Sequence, residues 1–299
     1  MENLILNNSK IEISNLIKKY LEYIDVSDNT ANTYNVGLMQ FNEYLKANAI
    51  KEPTREDIIN FREILKETHK PTTINTYLIA IRNFYNWLEY EGICKDITKK
   101  IKGIKLEQIH LKRGLSKEEI AKVLSCCKDD RELLLVQLMI SCALRVNEVV
   151  NITINDFYND NGVVMLKVLG KGRDGIKQDL VKIDNRIYDL IKEYVRKYQI
   201  TDYLFTSSSN HNKNGKLTGK TIRYIITNLF KKANLDMNML STHSTRHTSC
   251  ELALANGFDI KEVSEFMRHK NIQTTIRYSK EIDKRESMIA NNLCDCLIN

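Results

Sequence analysis

Through about the first hundred positions, apolar residues recur at three- and four-residue steps, the spacing that lines one face of a helix. In 11–24, IEISNLIKKYLEYI, that face is Ile13, Leu16, Ile17, Tyr20, Leu21 and Ile24. A second helix, capped by Asn29 or Thr30, turns Tyr34, Leu38, Phe41 and Leu45 inward. Thr54-x-x-Asp57 resembles a capping box with Asp in place of Glu, and opens a third. A fourth starts just after Pro71, runs through Tyr77, Ile81, Phe84, Tyr85 and Leu88, and stops at Gly92. These helices predict a small bundle with its own core.

The pattern then lapses. Residues 95–113, KDITKKIKGIKLEQIHLKR, have no clear amphipathic period, and Lys95, Lys99, Lys100, Lys102, Lys105, Lys112 and Arg113 face only Asp96 and Glu107. This predicts a basic connector between domains. Helical spacing returns with the capping box Ser116-x-x-Glu119, over 117–127 and 131–143. In VVMLKV, 163–168, the period becomes two; Gly170 to Gly175 is a turn, and Ile176 to Ile183 a second strand. The result is a β-hairpin with Lys171 near its tip. A polar loop at 206–217 precedes helices at 218–234, 243–256, 260–267 and 283–293. The chain therefore reads as mainly α: a helical domain over 1–101, a linker over 102–114, and a mixed α/β domain over 115–299. No internal repeat or low-complexity tract breaks this order.

Composition narrows the class. The 299 residues are 42% hydrophobic and 28% charged, which suits a water-soluble globular chain with two cores. Only 2 prolines and 11 glycines fit long helices. The net charge of +7 suits a polyanionic partner. No apolar run approaches the roughly 18 residues of a membrane span, and the N-terminus shows no signal-peptide pattern. A cytoplasmic protein with no membrane association is expected. The 7 cysteines form no regular framework, and Cys126-Cys127 and Cys294-x-Cys296 lack partners at zinc spacing. Neither a metal nor a cofactor is expected.

Four short stretches carry candidate chemistry: Ala143-Leu-Arg145-Val-Asn-Glu148, the turn holding Lys171, His243-Ser-Thr-Arg246-His247, and His269 with Tyr278 nine positions later. Each alone has an ordinary structural explanation. In this order they resemble the tyrosine recombinase, or phage-integrase, family, and the resemblance spans nearly the whole chain. Three neighbours depart from that pattern. The family's His-x-Leu-Arg-His reads His243-Ser-Thr-Arg246-His247; its Leu-Gly-His reads Met267-Arg268-His269; its Gly before Leu-Arg is Ala143.

The resemblance implies a four-helix, SAM-like core-binding domain and a catalytic domain with a small hairpin sheet, together a C-shaped clamp on double-stranded DNA. It implies a site-specific recombinase that cuts and rejoins DNA without metal or ATP, with Tyr278 as nucleophile. Arg145 and Arg246 would hold the scissile phosphate, since a planar guanidinium matches two phosphate oxygens. Lys171 would be general acid; His243 and His269 would hydrogen-bond the phosphate, with His243 also able to take the tyrosine proton. Glu148 and His247 would support them. Contacts to DNA are expected from Lys70, Thr72, Thr73, Asn75, Arg82, Lys99, Lys100, Lys102, Lys105 and Arg173. The apolar residues after Tyr278 imply an oligomerisation helix. The expected assembly is a dimer on one site and a homotetramer on two, exchanging strands through a Holliday junction. An accessory directionality or translocase protein would be a further partner. Xer-type dimer resolution and movement of a small mobile element both fit. The alternatives are a relaxing, type IB-like topoisomerase and a catalytically silent DNA-binding protein.

Overall fold

The computed structural model describes residues 12–106, 112–171, 176–207 and 215–286. The chain divides into two compact units between Ile109 and His110.

The first unit is built from α1 (Ile13–Tyr23), α2 (Asp28–Ala47), α3 (Arg55–Thr68) and α4 (Pro71–Tyr90). The inward faces meet as the spacing predicts. Leu16, Ile17, Tyr20, Leu38, Phe41, Leu45, Ile58, Phe61, Leu78, Ile81, Phe84 and Leu88 are all buried in one core. The Thr54 amide donates to Asp57 Oδ2 at 2.7 Å, so an aspartate closes the capping box from one side. Pro71 is the first residue of α4, where its missing N–H would have no helical partner anyway. Gly37 lets α2 and α4 come close: a Cβ there would lie 2.6 Å from Tyr77 Cδ1.

The basic segment after α4 is not free along its first part. Ile101 is buried in the same core. Arg82 donates to the Ile101 carbonyl at 2.7 Å and Arg62 to the Lys102 carbonyl at 2.7 Å. The Asn75 amide donates to the Ile104 carbonyl at 2.9 Å and accepts from its N–H at 2.7 Å. These paired backbone groups bind 101–104 to α3 and α4.

The second unit opens with α5 (Lys117–Ser125), whose box is complete: the Ser116 amide donates to Glu119 Oε2 at 2.9 Å, and the Glu119 amide to Ser116 Oγ at 3.2 Å. Helices α6 (Asp130–Ser141) and α7 (Val146–Asn151) follow, then β1 (Phe157–Asp160), β2 (Val163–Lys171) and β3 (Ile176–Ile183). The remaining helices are α8 (Asn185–Tyr198), α9 (Gly219–Lys232), α10 (Ser244–Ala255), α11 (Ile260–Phe266) and α12 (Gln273–Glu286).

The sheet is antiparallel in the order β1-β2-β3, with Phe157 opposite Leu166 and Val164 opposite Ile183. Val164, Leu166 and Val168 alternate inward along β2 and meet Val181 and Ile183 of β3. The hairpin thus gains a third strand that the sequence pattern does not announce, because Phe-Tyr-Asn-Asp is too short to show a period of its own. Helices α7 and α8 also go beyond the sequence reading. In α8 the signal was present, since Ile191 and Tyr194 are buried with Ile187, Tyr188 and Val195 beside them. The last described helix starts well before the anticipated 283–293, so Tyr278 sits inside it.

Candidate active site

The site forms where two helices end. At the C-terminus of α6, the Leu144 amide donates to Met139 O at 3.1 Å and the Ala143 amide to Ile140 O at 3.4 Å. At the C-terminus of α11, the His269 amide donates to Ser264 O at 3.0 Å and the Arg268 amide to Glu265 O at 2.9 Å. Both are Schellman closures, which need a left-handed residue just past the helix. Ala143 and Arg268 occupy those positions, with φ of 48° and 52°. Glycine adopts this conformation without a Cβ penalty. The two glycine departures from the family pattern therefore fall where the backbone most favours glycine.

The carbonyls at these two ends are gathered by guanidinium groups. Arg246, in the first turn of α10 and only 2% exposed, donates to the Ala143 carbonyl through Nη1 and to the Met267 carbonyl through Nη2. Cations are favoured at helix C-termini, where the unpaired carbonyls carry negative partial charge. Burial first, then the neighbouring Arg145 and Arg268, push the Arg246 pKa down to about 9. It remains cationic at neutral pH.

Arg145 precedes α7, and Glu148 is three residues into that helix. Glu148 Oε2 accepts from the Arg145 amide at 2.8 Å and Oε1 from Arg145 Nη1 at 2.7 Å. Arg145 Nη2 donates to the Arg268 carbonyl at 3.2 Å. The Arg145 side chain is 40% exposed against 2% for Glu148, so it offers its remaining N–H groups to solvent. Burial would raise the Glu148 pKa, but Arg268 and the bonds from Arg145 outweigh it and hold the carboxyl below its ordinary range.

The aromatic side chains line up beside these charges. The His243 and His247 rings are 5.1 Å apart and nearly perpendicular. His247 meets the Tyr278 ring at 4.9 Å and 60°. His269 lies parallel to Tyr278, at 6° and 6.2 Å between centroids. Ala143, Cys250, Val263 and Met267 form the apolar floor under Tyr278. His269 Nδ1 pairs with Thr275 Oγ1 at 2.8 Å, which fixes the ring. Burial, then Arg246 and Arg145, push His269 down to about 4 and also lower His243. His269 is therefore neutral at pH 7.

With this geometry in view, comparison with known sequences is decisive. The profile of the phage integrase family matches residues 113–285, over half the chain, and that of the phage integrase N-terminal SAM-like domain matches 17–92. The chain belongs to the phage integrase family, the tyrosine recombinases. It is 25% identical over 290 residues to tyrosine recombinase XerA of Pyrococcus furiosus, covering 95% of this chain and 96% of that one. It is 30% identical over 225 residues to tyrosine recombinase XerC of Caldanaerobacter subterraneus subsp. tengcongensis, covering 72% and 61%. In fold it resembles the XerH site-specific recombinase in its post-cleavage complex with palindromic difH substrate, with TM-score 0.75, 20% identity and coverage of 96% and 98%. A lambda integrase dimer bound to a COC' core site gives TM-score 0.71 at 13% identity, covering 87% and 95%.

In this tyrosine recombinase, the fold gathers Arg145, Glu148, His243, Arg246, His247, His269 and Tyr278 from α7, α10, α12 and the turn after α11. Lys171 ends β2 opposite Ile176, at the hairpin end; its side chain lies outside the described part, as does Arg173. Lys70, Thr72, Lys100, Lys102 and Lys105 are exposed and Thr73 is half-buried. Lys99 is exposed too but paired with Glu89 at 3.0 Å. Asn75 and Arg82 are engaged with the backbone at Ile104 and Ile101.

Two participants had no assigned role in the sequence reading. Arg268 stood out only as an arginine where glycine was expected, and Thr275 gave no local signal. Among the described residues, no His, Cys, Asp and Glu side chains cluster as metal ligands would, and no helix is long and apolar enough to cross a membrane.

Proposed function

We propose that this recombinase cuts and rejoins duplex DNA at a specific site through a covalent 3′-phosphotyrosyl link to Tyr278. The observation that carries this reading is the placement of Tyr278 between the His247 and His269 rings, within electrostatic reach of Arg246. A phenol has an ordinary pKa of about 10 and is a weak nucleophile unless cations lie close. The tyrosine oxygen attacks phosphorus, the bond from phosphorus to the 5′-oxygen breaks, and the phenolic proton passes to His243. Lys171 protonates the leaving 5′-oxygen as general acid. One phosphodiester replaces another, so rejoining needs no ATP. Arg145, solvent-facing, holds the phosphate, and Arg246 adds its charge from behind, stabilising the pentavalent transition state. His269, neutral, donates a hydrogen bond from Nε2.

The remaining candidate residues act on the DNA backbone. Lys70, Thr72, Thr73, Lys99, Lys100, Lys102, Lys105 and Arg173 meet phosphates. Asn75 and Arg82 support them by fixing the 101–104 segment. Solved relatives on DNA, including XerH with difH substrate, support a duplex partner.

Strand exchange proceeds through a Holliday junction in a tetramer on two sites, with a dimer on each. An apolar cavity of about 330 Å³ lined by Ala253, Phe258, Glu262, Val263 and Phe266 supports this, as it fits a neighbour's apolar tail. The tail residues Met288, Ile289, Leu293, Leu297 and Ile298 lie outside the described residues. We assign the reaction to the cytoplasm, in Xer-type dimer resolution or movement of a small element, with an accessory protein setting direction.

The test is Tyr278→Phe. It should abolish the denaturant-resistant protein–DNA adduct while leaving non-covalent affinity within about twofold. An adduct that persists in the variant would show that another residue is the nucleophile.

A further inference from the structure

Arg268 is the residue that the reaction scheme leaves unused, and the structure surrounds it with unusual contacts. Its side chain is 5% exposed, yet it belongs to no apolar core. Nη2 donates to Glu148 Oε2 at 2.9 Å and to the Ala143 carbonyl at 2.9 Å. Nη1 donates to the Cys142 carbonyl at 3.2 Å and the Phe266 carbonyl at 3.1 Å. Nε has no hydrogen-bond partner among the described residues. Its backbone carbonyl accepts from Arg145 Nη2 at 3.2 Å.

These contacts place Arg268 directly behind Arg145, with Glu148 between them. Each Glu148 oxygen has a defined load: Oε1 serves Arg145 Nη1, and Oε2 serves both the Arg145 amide and Arg268. The carboxylate is thus clamped on two sides and cannot rotate without losing a charge-assisted bond. The charge balance matters as much. A glycine here would leave Arg145 and Arg246 facing one carboxylate. Arg268 raises the excess of guanidinium over carboxylate to two, in a partly buried site where charges act strongly. It also holds the open carbonyls of α6, the same end gripped by Arg246, and so couples that end to the turn carrying His269. The cost is a side chain at φ 52°, a conformation that disfavours a Cβ.

We propose that Arg268 is a positioning residue for strand cleavage, fixing Arg145 through Glu148 and adding positive potential behind the phosphate that Arg145 holds. This rests on the phosphotyrosyl reading above. The consequence is specific: losing Arg268 should mimic a partial loss of Arg145, although Arg268 itself does not reach the DNA.

The probe is the duplex that the wild-type chain enriches from a randomised pool, with the cleavage point mapped from its own covalent adduct. Both diastereomers of a methylphosphonate are then placed at that position, each removing one charged oxygen. Arg145→Ala identifies the diastereomer that rescues loss of Arg145. Arg268→Gly suits the left-handed backbone, and Arg268→Gln keeps bulk and donors but not charge. Both should slow adduct formation about tenfold at saturating DNA, with half-saturation nearly unchanged. The diastereomer that rescues Arg145→Ala should bring both within about threefold of wild type on the same duplex. Arg268→Lys, which keeps the charge, should stay within about threefold on ordinary DNA. A wild-type rate for Arg268→Gly, or an equal loss on phosphate and methylphosphonate, would overturn the proposal. Absence of any adduct with wild type would instead overturn the phosphotyrosyl reading itself.

Discussion

At the scale of single residues, the site is governed by what buried charges and carbonyls require. Arg246 holds the Ala143 and Met267 carbonyls at the ends of two helices, so it serves folding as well as the proposed chemistry. His269 shows the same coupling through pH. Its folded pKa is about 4 against an ordinary 6.5, because burial and three arginines disfavour the imidazolium. Well above pH 6.5 neither the folded nor the unfolded chain protonates it, and it contributes nothing to the pH dependence. Between 6.5 and 4 the unfolded chain binds a proton that the folded chain does not, so stability falls as pH falls. From pH 7 to 4.5 that loss should be on the order of 2 kcal/mol. Urea unfolding of DNA-free protein at both pH values checks it. His269→Asn, which keeps a polar atom near Thr275 but cannot titrate, should lose correspondingly less on acidification.

At the scale of elements, close approach decides the packing. Helices α2 and α4 cross at Gly37, where the Tyr77 ring fills the place of a side chain. Gly37→Leu would gain roughly 1 kcal/mol in helix propensity. It would also force the helices apart, at a cost of about 1–3 kcal/mol for overpacking. The expected net result is a lower thermal midpoint, measured on the full chain, with adduct formation by the folded fraction unchanged. An unaltered or higher midpoint would mean that Tyr77 swings aside. Helices α6 and α11 show the complementary case. Their ends meet carbonyl to carbonyl, which cationic donors stabilise, and Arg246 and Arg268 supply them.

At the scale of the whole molecule, the exposed apolar surface on the second unit is the feature with a partner to explain. Phe258 is 58% exposed and Phe266 37%, both lining the 330 Å³ cavity with Val263. Contiguous exposed apolar surface marks interaction sites. If a neighbour's tail docks there, Phe258→Asp should weaken tetramer formation on two DNA sites by at least about tenfold, since a buried carboxylate lacks a partner there. Binding to a single site should be nearly unaffected. Light scattering and gel shifts on one-site and two-site duplexes separate the two. Tetramers of normal stability in this variant would place the interface elsewhere.

Local periodicity was enough to find the bundle, because the inward faces of α1 to α4 repeat at helical spacing and cap with local residues such as Thr54 and Asp57. The order of Arg145, Lys171, His243, Arg246, His269 and Tyr278 could be read as a candidate set, since side-chain chemistry leaves its mark in residue type; the fold brings all of them but Lys171, whose side chain is outside the described part, to one place. The strand β1 and the helix α7 were not legible, being too short to show a repeating pattern. Nor were the partners of Asn75, Arg82, Arg246 and Arg268. All four donate to backbone carbonyls, at Ile104, Ile101, Ala143 and Met267, and Cys142 and Ala143. A carbonyl is the same at every residue, so the sequence cannot show which one is left open. Only the folded chain decides that, by where helices end and which ends it brings together.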